Sequence, residues 1–376
     1  MQPFSLAPDI IYLNHAAVAP WPQSTVDAVV RFAQENGTLG ATNYPAWQQE
    51  ELALKSLLAR LINAADDSEI ALLKNTSEAL SIIAYGLPWK PGENIVSIAQ
   101  EFPSNRIVWE SLASQGVELR LVDLQHSSGE PEEAIAEAID QNTRLLSVSS
   151  VQYASGLRLD LGRLGKTCRK VGILFCVDAI QSLGAVPFDV QACQADFVVA
   201  DGHKWMLGPE GVALFYVRPE VRDHLRLQQF GWHMVEAMMD FDRHDWRPAP
   251  DARRFECGSP NMLGIHTLAA SLRLLLKTGI EQVAIRIRHN MDFALQQVSE
   301  YGFESLTPAA ADRRAGILSF RIPGHDNQQI QQALMQQQVI CAYRGGGIRF
   351  SPHFYNTANE IGDAFNVIGQ ITKAIR

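Results

Sequence analysis

Apolar runs of four to seven residues recur along the first two thirds of the chain, separated by stretches whose apolar residues return at helical spacing. Those at Asn94–Ile98, Leu119–Val122, Leu145–Ser149, Gly172–Val177, Ala195–Ala200 and Val212–Val217 read as strands. The runs from Gly172 and Ala195 are apolar on both faces rather than alternating, as strands of a parallel sheet covered by helices on each side are. The alternation from about Ala71 to Val217 therefore predicts an α/β fold with a mostly parallel, doubly wound sheet. After about Phe255 the rhythm changes. Val283, Ile287, Met291, Leu295 and Val298 share one face of a long amphipathic helix, short strands follow at Ile317–Ile322, Val339–Ala342 and Ile348–Phe350, and a last helix is expected over Glu360–Ile375. The expected division is a large domain at 15–254 and a smaller α+β domain at 255–376, with 1–14 packing on the latter. Gly231–Arg254 has no clear period and reads as a long ordered loop, a kind of segment that commonly serves function.

Composition narrows the class. At 376 residues and 47% hydrophobic content the chain can bury a large core and a second, smaller one. Thirty-two basic against 41 acidic residues give a formal net charge of -9, without a basic run, which argues against a nucleic-acid partner. The start, Met1 to Asp9, lacks the basic region and apolar core of a signal peptide, and no apolar run is long enough for a bilayer. No membrane partner and a cytoplasmic location are the resulting expectations. The five cysteines (Cys168, Cys176, Cys193, Cys257 and Cys341) are odd in number and lack C-x-x-C spacing, so neither a disulfide framework nor a metal site is expected.

Candidate chemistry lies at two strand ends. Val177-Asp178-Ala179-Ile180-Gln181 places an acid at the end of one buried run, and Asp201-Gly202-His203-Lys204-Trp205 places a His-Lys pair after the next. Singly, Asp178 reads as a helix cap and Lys204 as a surface residue. Together they match what pyridoxal 5'-phosphate (PLP) requires: a lysine amine for its aldehyde, and a carboxylate that keeps its pyridine nitrogen protonated. Ligands of open α/β sheets collect at the carboxyl ends of the strands, where both residues fall. Asn75-Thr76-Ser77-Glu78 opens what reads as the first long helix as a capping box, and a helix amino terminus also suits a phosphate.

With these motifs the chain resembles the class V aminotransferase family of fold type I PLP enzymes, which includes cysteine desulfurases, selenocysteine lyases, kynureninases and isopenicillin N epimerase-like enzymes. The resemblance runs from Tyr12-Leu13-Asn14-His15-Ala16-Ala17 to Arg349-Phe350-Ser351-Pro352-His353-Phe354-Tyr355-Asn356-Thr357. It implies that Thr76, Ser77 and His203 hold the phosphate, Phe102 stacks on the cofactor ring, and Gln181 donates to its 3'-oxygen. It implies substrate contacts from Asn14 and from Gln152 in the stretch Ser149–Gln152, and an α-carboxylate clamp from Arg349, with Arg344 beside Gly345-Gly346-Gly347 as a second candidate. A homodimer with shared sites is implied too, in which Ser259 and Trp232 reach the neighbouring subunit's cofactor. Two departures stand out. Asp201 replaces the serine usual in desulfurases, and a carboxylate should avoid a phosphate; Phe102 replaces a histidine able to move protons, as in kynureninase-like segments.

The resemblance implies action on a small amino acid through an external aldimine, with Lys204 as base at Cα, ending in transamination or β-elimination. One alternative is a cysteine desulfurase or selenocysteine lyase using Cys341, which the sequence places inside a strand and so disfavours. Another is a non-catalytic PLP-binding partner protein, disfavoured because such a protein needs no carboxylate clamp.

Overall fold

The computed structural model describes residues 4–126 and 129–374; the expectations for Met1 to Pro3 and for Ile375 lie outside the described residues. Strand β1 (Ile11–Tyr12) is followed by two helices, Gln23–Leu39 and Tyr44–Ile62. A seven-stranded sheet then forms from β2 (Ile70–Leu73), β3 (Asn94–Ile98), β4 (Glu118–Val122), β5 (Thr143–Ser149), β6 (Leu174–Asp178), β7 (Phe197–Asp201) and β8 (Ala213–Val217). Their order is β2-β8-β7-β6-β5-β3-β4, and all are parallel except β8, which runs against both its neighbours. The apolar runs explain this arrangement. Every residue of β3, β7 and β8 is buried, whereas the edge strand β4 carries Glu118 and Arg120 and is largely open.

The polypeptide continues through helices Met262–Thr278 and Ile280–Glu300 into β9 (Glu304–Ser305), β10 (Leu318–Arg321), β11 (Val339–Ile340), β12 (Ala342–Arg344), β13 (Gly347–Phe350) and the helix Ala358–Ala374. Strands β12-β13-β10-β9 form an antiparallel sheet, while β11 pairs in parallel with β1 (Ile11 opposite Val339, Tyr12 opposite Ile340). Phe320 and Phe365 stack at 5.5 Å between ring centroids, and Phe303 and Phe350 close around them. The helix expected from Val283 to Val298 is present, its stripe turned inward.

Three differences from the sequence reading have physical reasons. The helix starting at Thr76 is the third, because Gln23–Leu39 buries only Thr25 and Ala28 and so gives little periodic signal. Met262–Thr278 packs against both early helices and is apolar nearly all round, which hides its period. Cys341 lies in the break between β11 and β12, not inside a strand. The segment Gly231–Arg254 does form a long irregular connection, anchored by the Val235–Pro248 bridge and by Arg253, which donates to the carbonyls of His233 (2.6 Å) and Val235 (2.9 Å).

Candidate active site

Beyond the carboxyl end of the central sheet lies an open cavity of about 500 Å3, within the usual size of small-molecule sites. Strand β6 delivers Asp178 to its floor. The turn after Asp178 bends back through Gly184 (φ +94°), where a Cβ would stand 2.2 Å from the Trp205 carbonyl oxygen. That close approach packs the turn on the loop from β7 to β8, which carries Lys204. Gln181 is fixed there at both ends: its Nε2 donates to the Ala16 carbonyl (3.1 Å), and its Oε1 accepts from Trp205 Nε1 (2.8 Å). One amide hydrogen remains for a ligand.

Burial governs the electrostatics. It pushes the Asp178 carboxyl up to about 6, against the pull of Lys204. It pushes the Lys204 amine down to about 8, with Asp178 opposing and Arg349 and Arg344 adding to the fall. The Lys204 Nζ stands 5.5 Å from the centroid of the Phe102 ring, which is 41% exposed and turns its face to the cavity's lysine. Tyr153 meets Phe102 edge to face at 5.2 Å.

At another wall, Asn75 caps the helix Thr76–Gly86 by accepting from the Glu78 amide (2.9 Å). Glu78 reaches back to the Lys74 amide (2.8 Å) rather than to the cap residue itself, a capping box displaced by one position. Thr76 Oγ1 accepts from the Asp201 amide (3.1 Å), and Ser77 Oγ donates to Ser104 (2.9 Å). His203 Nδ1 is 3.0 Å from Asp201 Oδ1, close but out of line for a well-formed hydrogen bond.

On the remaining side, Arg349 is 2% exposed; its Nη1 donates to the Tyr153 carbonyl (2.6 Å), and its Nε has no partner. Burial first, then nearby Arg344, pushes the guanidinium down to about 10. A buried guanidinium with a spare donor, a lysine without an ion pair among the described residues, the buried Asp178 carboxylate, whose Oδ1 accepts from the Ile180 amide (3.0 Å), and a helix amino terminus are the donor set that PLP and an amino acid require.

Among the expected residues, Thr76, Ser77, Phe102, Asp178, Gln181, His203, Lys204 and Arg349 line this one cavity, and so do Ser149, Asp201 and Arg344. Asn14 and Gln152 do not line it: Asn14 bridges to Ser351, and Gln152 Nε2 donates to Glu101 (3.3 Å). Ser150 turns away to Ser182 (2.5 Å). Ser259 lines a smaller cavity of about 160 Å3 that shares Lys74 and Gly211 with the larger one, and Trp232 Nε1 donates to Ser259 Oγ (3.3 Å).

The sequence reading missed Glu101, Tyr153 and Trp205. Glu101 accepts from the Ser149 amide (2.7 Å) and from the Ser149 hydroxyl, and burial pushes its carboxyl up to about 7. Its position just after β3, like that of Asp178 at the end of β6, was the available signal.

Comparison with known proteins agrees with this architecture. The "Probable cysteine desulfurase" of Methanothermobacter thermautotrophicus is 30% identical over 376 residues, 94% of this chain and 92% of that protein. The apo structure of a cysteine desulfurase from Thermococcus onnurineus NA1 superposes with a TM-score of 0.88 at 24% identity, covering 97% of this chain and 95% of that one. The cystine C-S lyase C-DES, in complex with its product cysteine persulfide, gives a TM-score of 0.88 at 23% identity, covering 96% and 97%. The Aminotransferase class-V model matches residues 11–363, and the chain belongs to that family of PLP-dependent enzymes.

Proposed function

We propose that this enzyme breaks the bond between Cβ and sulfur in a small sulfur-bearing amino acid, without a thiol acceptor of its own. The observation that carries the reading is the meeting of Lys204, Asp178, Phe102 and Arg349 around one cavity, while Cys341 lies elsewhere, 2% exposed, its thiol pushed up to about 12 by burial. The relatives' names favour the sulfur chemistry that the sequence reading ranked second, and turn it away from transamination. The lyase in the comparison shows that a protein of this fold can handle sulfur amino acids as a C–S lyase.

Bound PLP supplies an electron sink for the pair of electrons left at Cα. In this proposal the Asp178 carboxylate holds a proton at the pyridine nitrogen, and the positive charge there would offset the burial that otherwise raises this carboxyl to about 6. Lys204, with its amine already shifted toward neutrality, receives the Cα proton at Nζ. Thr76, Ser77 and His203 hold the phosphate, Phe102 covers one ring face, Gln181 gives its free amide hydrogen to the 3'-oxygen, and Arg349 grips the α-carboxylate. Asn14 and Gln152 act behind this layer on the substrate side. Ser259 and Trp232 reach a second copy's site in a homodimer, a role their position outside the single-chain cavity suits. The proposed division into 15–254 and 255–376, with 1–14 on the latter, draws support from the β1–β11 pairing, and the helix Met262–Thr278, packed on the two early helices, would join the two parts.

The desulfurase using Cys341 is the second reading, favoured by the relatives' names. The test is Cys341→Ser with L-cysteine and L-cystine as substrates, measuring sulfide, pyruvate and ammonia. The variant is expected to keep most of the wild-type rate and to yield pyruvate with ammonia in equal amounts. Loss of sulfur release with amino-acid binding intact would restore the desulfurase, and alanine as the carbon product would point the same way.

A further inference from the structure

The cavity holds two guanidinium groups where one α-carboxylate needs only one. Strands β12 and β13 form a two-residue hairpin in which Arg344 stands opposite Gly347, and Ala342 opposite Arg349. Directly opposed residues of an antiparallel pair share a face, as do residues two apart on one strand. Arg344 and Arg349 are therefore diagonal neighbours on the same face, and Gly347 places no side chain between them. The turn fixes this register. Gly345 (φ +57°) and Gly346 (φ +79°) supply the two positive φ angles that the favoured two-residue loop requires, and the tip rests against Ala154, 3.2 Å from where a Gly345 Cβ would stand.

Both guanidinium groups line the cavity; the charge of Arg344 lowers the proton affinity of Arg349, and both arginines lower that of Lys204. Among the described residues no carboxylate lies within 4 Å of either one; Arg344 donates to the Tyr343 carbonyl (2.7 Å) and Arg349 to the Tyr153 carbonyl. Two like charges held side by side without a protein counterion form an arrangement that a doubly anionic ligand stabilises. Arg349 is buried and suited to the α-carboxylate, whereas Arg344 is exposed and left for a second anionic group.

We infer that Arg344 is a specificity residue and that the site selects amino acids whose side chain ends in a second anionic group, a carboxylate or a sulfinate. This rests on the PLP-dependent reading of the site above.

The test titrates the PLP-loaded protein with L-aspartate, L-cysteine sulfinate, L-asparagine and L-alanine at fixed ionic strength, reading the change in cofactor absorbance as an apparent Kd. Both acids are expected to bind at least about tenfold more tightly than the two neutral amino acids, the scale of one charge-assisted contact. The tighter of the two acids identifies the anion that fits. In Arg344→Gln that preference should fall to within about twofold. Equal binding of acids and neutral amino acids by the wild type overturns the inference, as does an Arg344→Gln variant that weakens L-alanine as much as L-aspartate, which would put Arg344 on the α-carboxylate. A second measurement needs no cofactor: succinate should raise the Tm of the apoprotein more than butyrate does, and Arg344→Gln should abolish the difference. Failure of all amino acids to change the cofactor spectrum, with the succinate effect present, would instead count against the proposed chemistry and leave the two-guanidinium grip standing.

Discussion

Lys204 shows how burial turns a common side chain into a reagent. A lysine in water holds its proton to above pH 10, and only the neutral amine attacks an aldehyde. With the amine pushed down to about 8, a substantial fraction is neutral near physiological pH, although Asp178 resists the shift. The rate at which apoprotein takes up PLP should therefore rise with pH and level off with a midpoint near 8, followed by borohydride trapping and peptide mapping. A midpoint near 10, or undiminished trapping in Lys204→Ala, would show that another amine holds the cofactor. Asp178 and Lys204 were legible because strand ends beyond buried apolar runs are few, and chemistry restricts which residue types are useful there. The contacts of Glu101 and Tyr153 were not. The first acts through the Ser149 amide and hydroxyl, the second through its backbone carbonyl on Arg349, and neither contact leaves a mark in the linear sequence.

At the scale of elements, the long connection 231–254 is tied down by a buried group of charges rather than by a strand or helix. Glu51 and Lys55 on the helix Tyr44–Ile62 meet His233 and Glu256: Lys55 Nζ lies 2.8 Å from Glu256 Oε1, while the two imidazole nitrogens face Glu51 (3.6 Å) and Glu256 (3.4 Å). Glu256 also accepts from the Leu72 amide at β2 (2.8 Å), and Arg253 adds positive charge nearby. Burial, then the charge of Glu256, pushes the Glu51 carboxyl from its ordinary 4.5 up to about 7. Because the folded state binds this proton more tightly than the unfolded chain, the contribution to stability is complete below about pH 4.5 and declines as pH rises to about 7. Glu51→Gln removes the titration, so urea unfolding between pH 5 and 7.5 should show a flatter profile in the variant, by on the order of 2 kcal/mol across that window. An unchanged slope would place the titrating group elsewhere. The parallel strands were easier to read than this brace. Buried strands declare themselves by local composition, whereas helices such as Gln23–Leu39 and the Glu51 cluster depend on partners hundreds of residues away.

For the whole molecule, the proposed homodimer makes Lys204 and Ser259 parts of different composite sites. Mixing Lys204→Ala with Ser259→Trp subunits under exchange conditions should restore about a quarter of the wild-type sites, because one site of each heterodimer escapes both lesions. A fully active monomer by sedimentation would remove that idea. The β1–β11 pairing described above has a further consequence for how the protein is made. Ile11 and Tyr12 pair with Val339 and Ile340, Asn14 bridges to Ser351, and Ala16, whose carbonyl anchors Gln181, lines the cavity. Chain synthesis proceeds from the amino end, so the whole stretch up to Ile340 must leave the ribosome before the segment at Ile11 can settle. Until then the central sheet can form around Asp178 and Lys204, but Arg349 is absent and the amino-terminal wall is unanchored. Amino-acid binding is thus acquired last in the birth of the protein, and a nascent chain stalled before residue 339 should take up cofactor without yet being able to hold substrate.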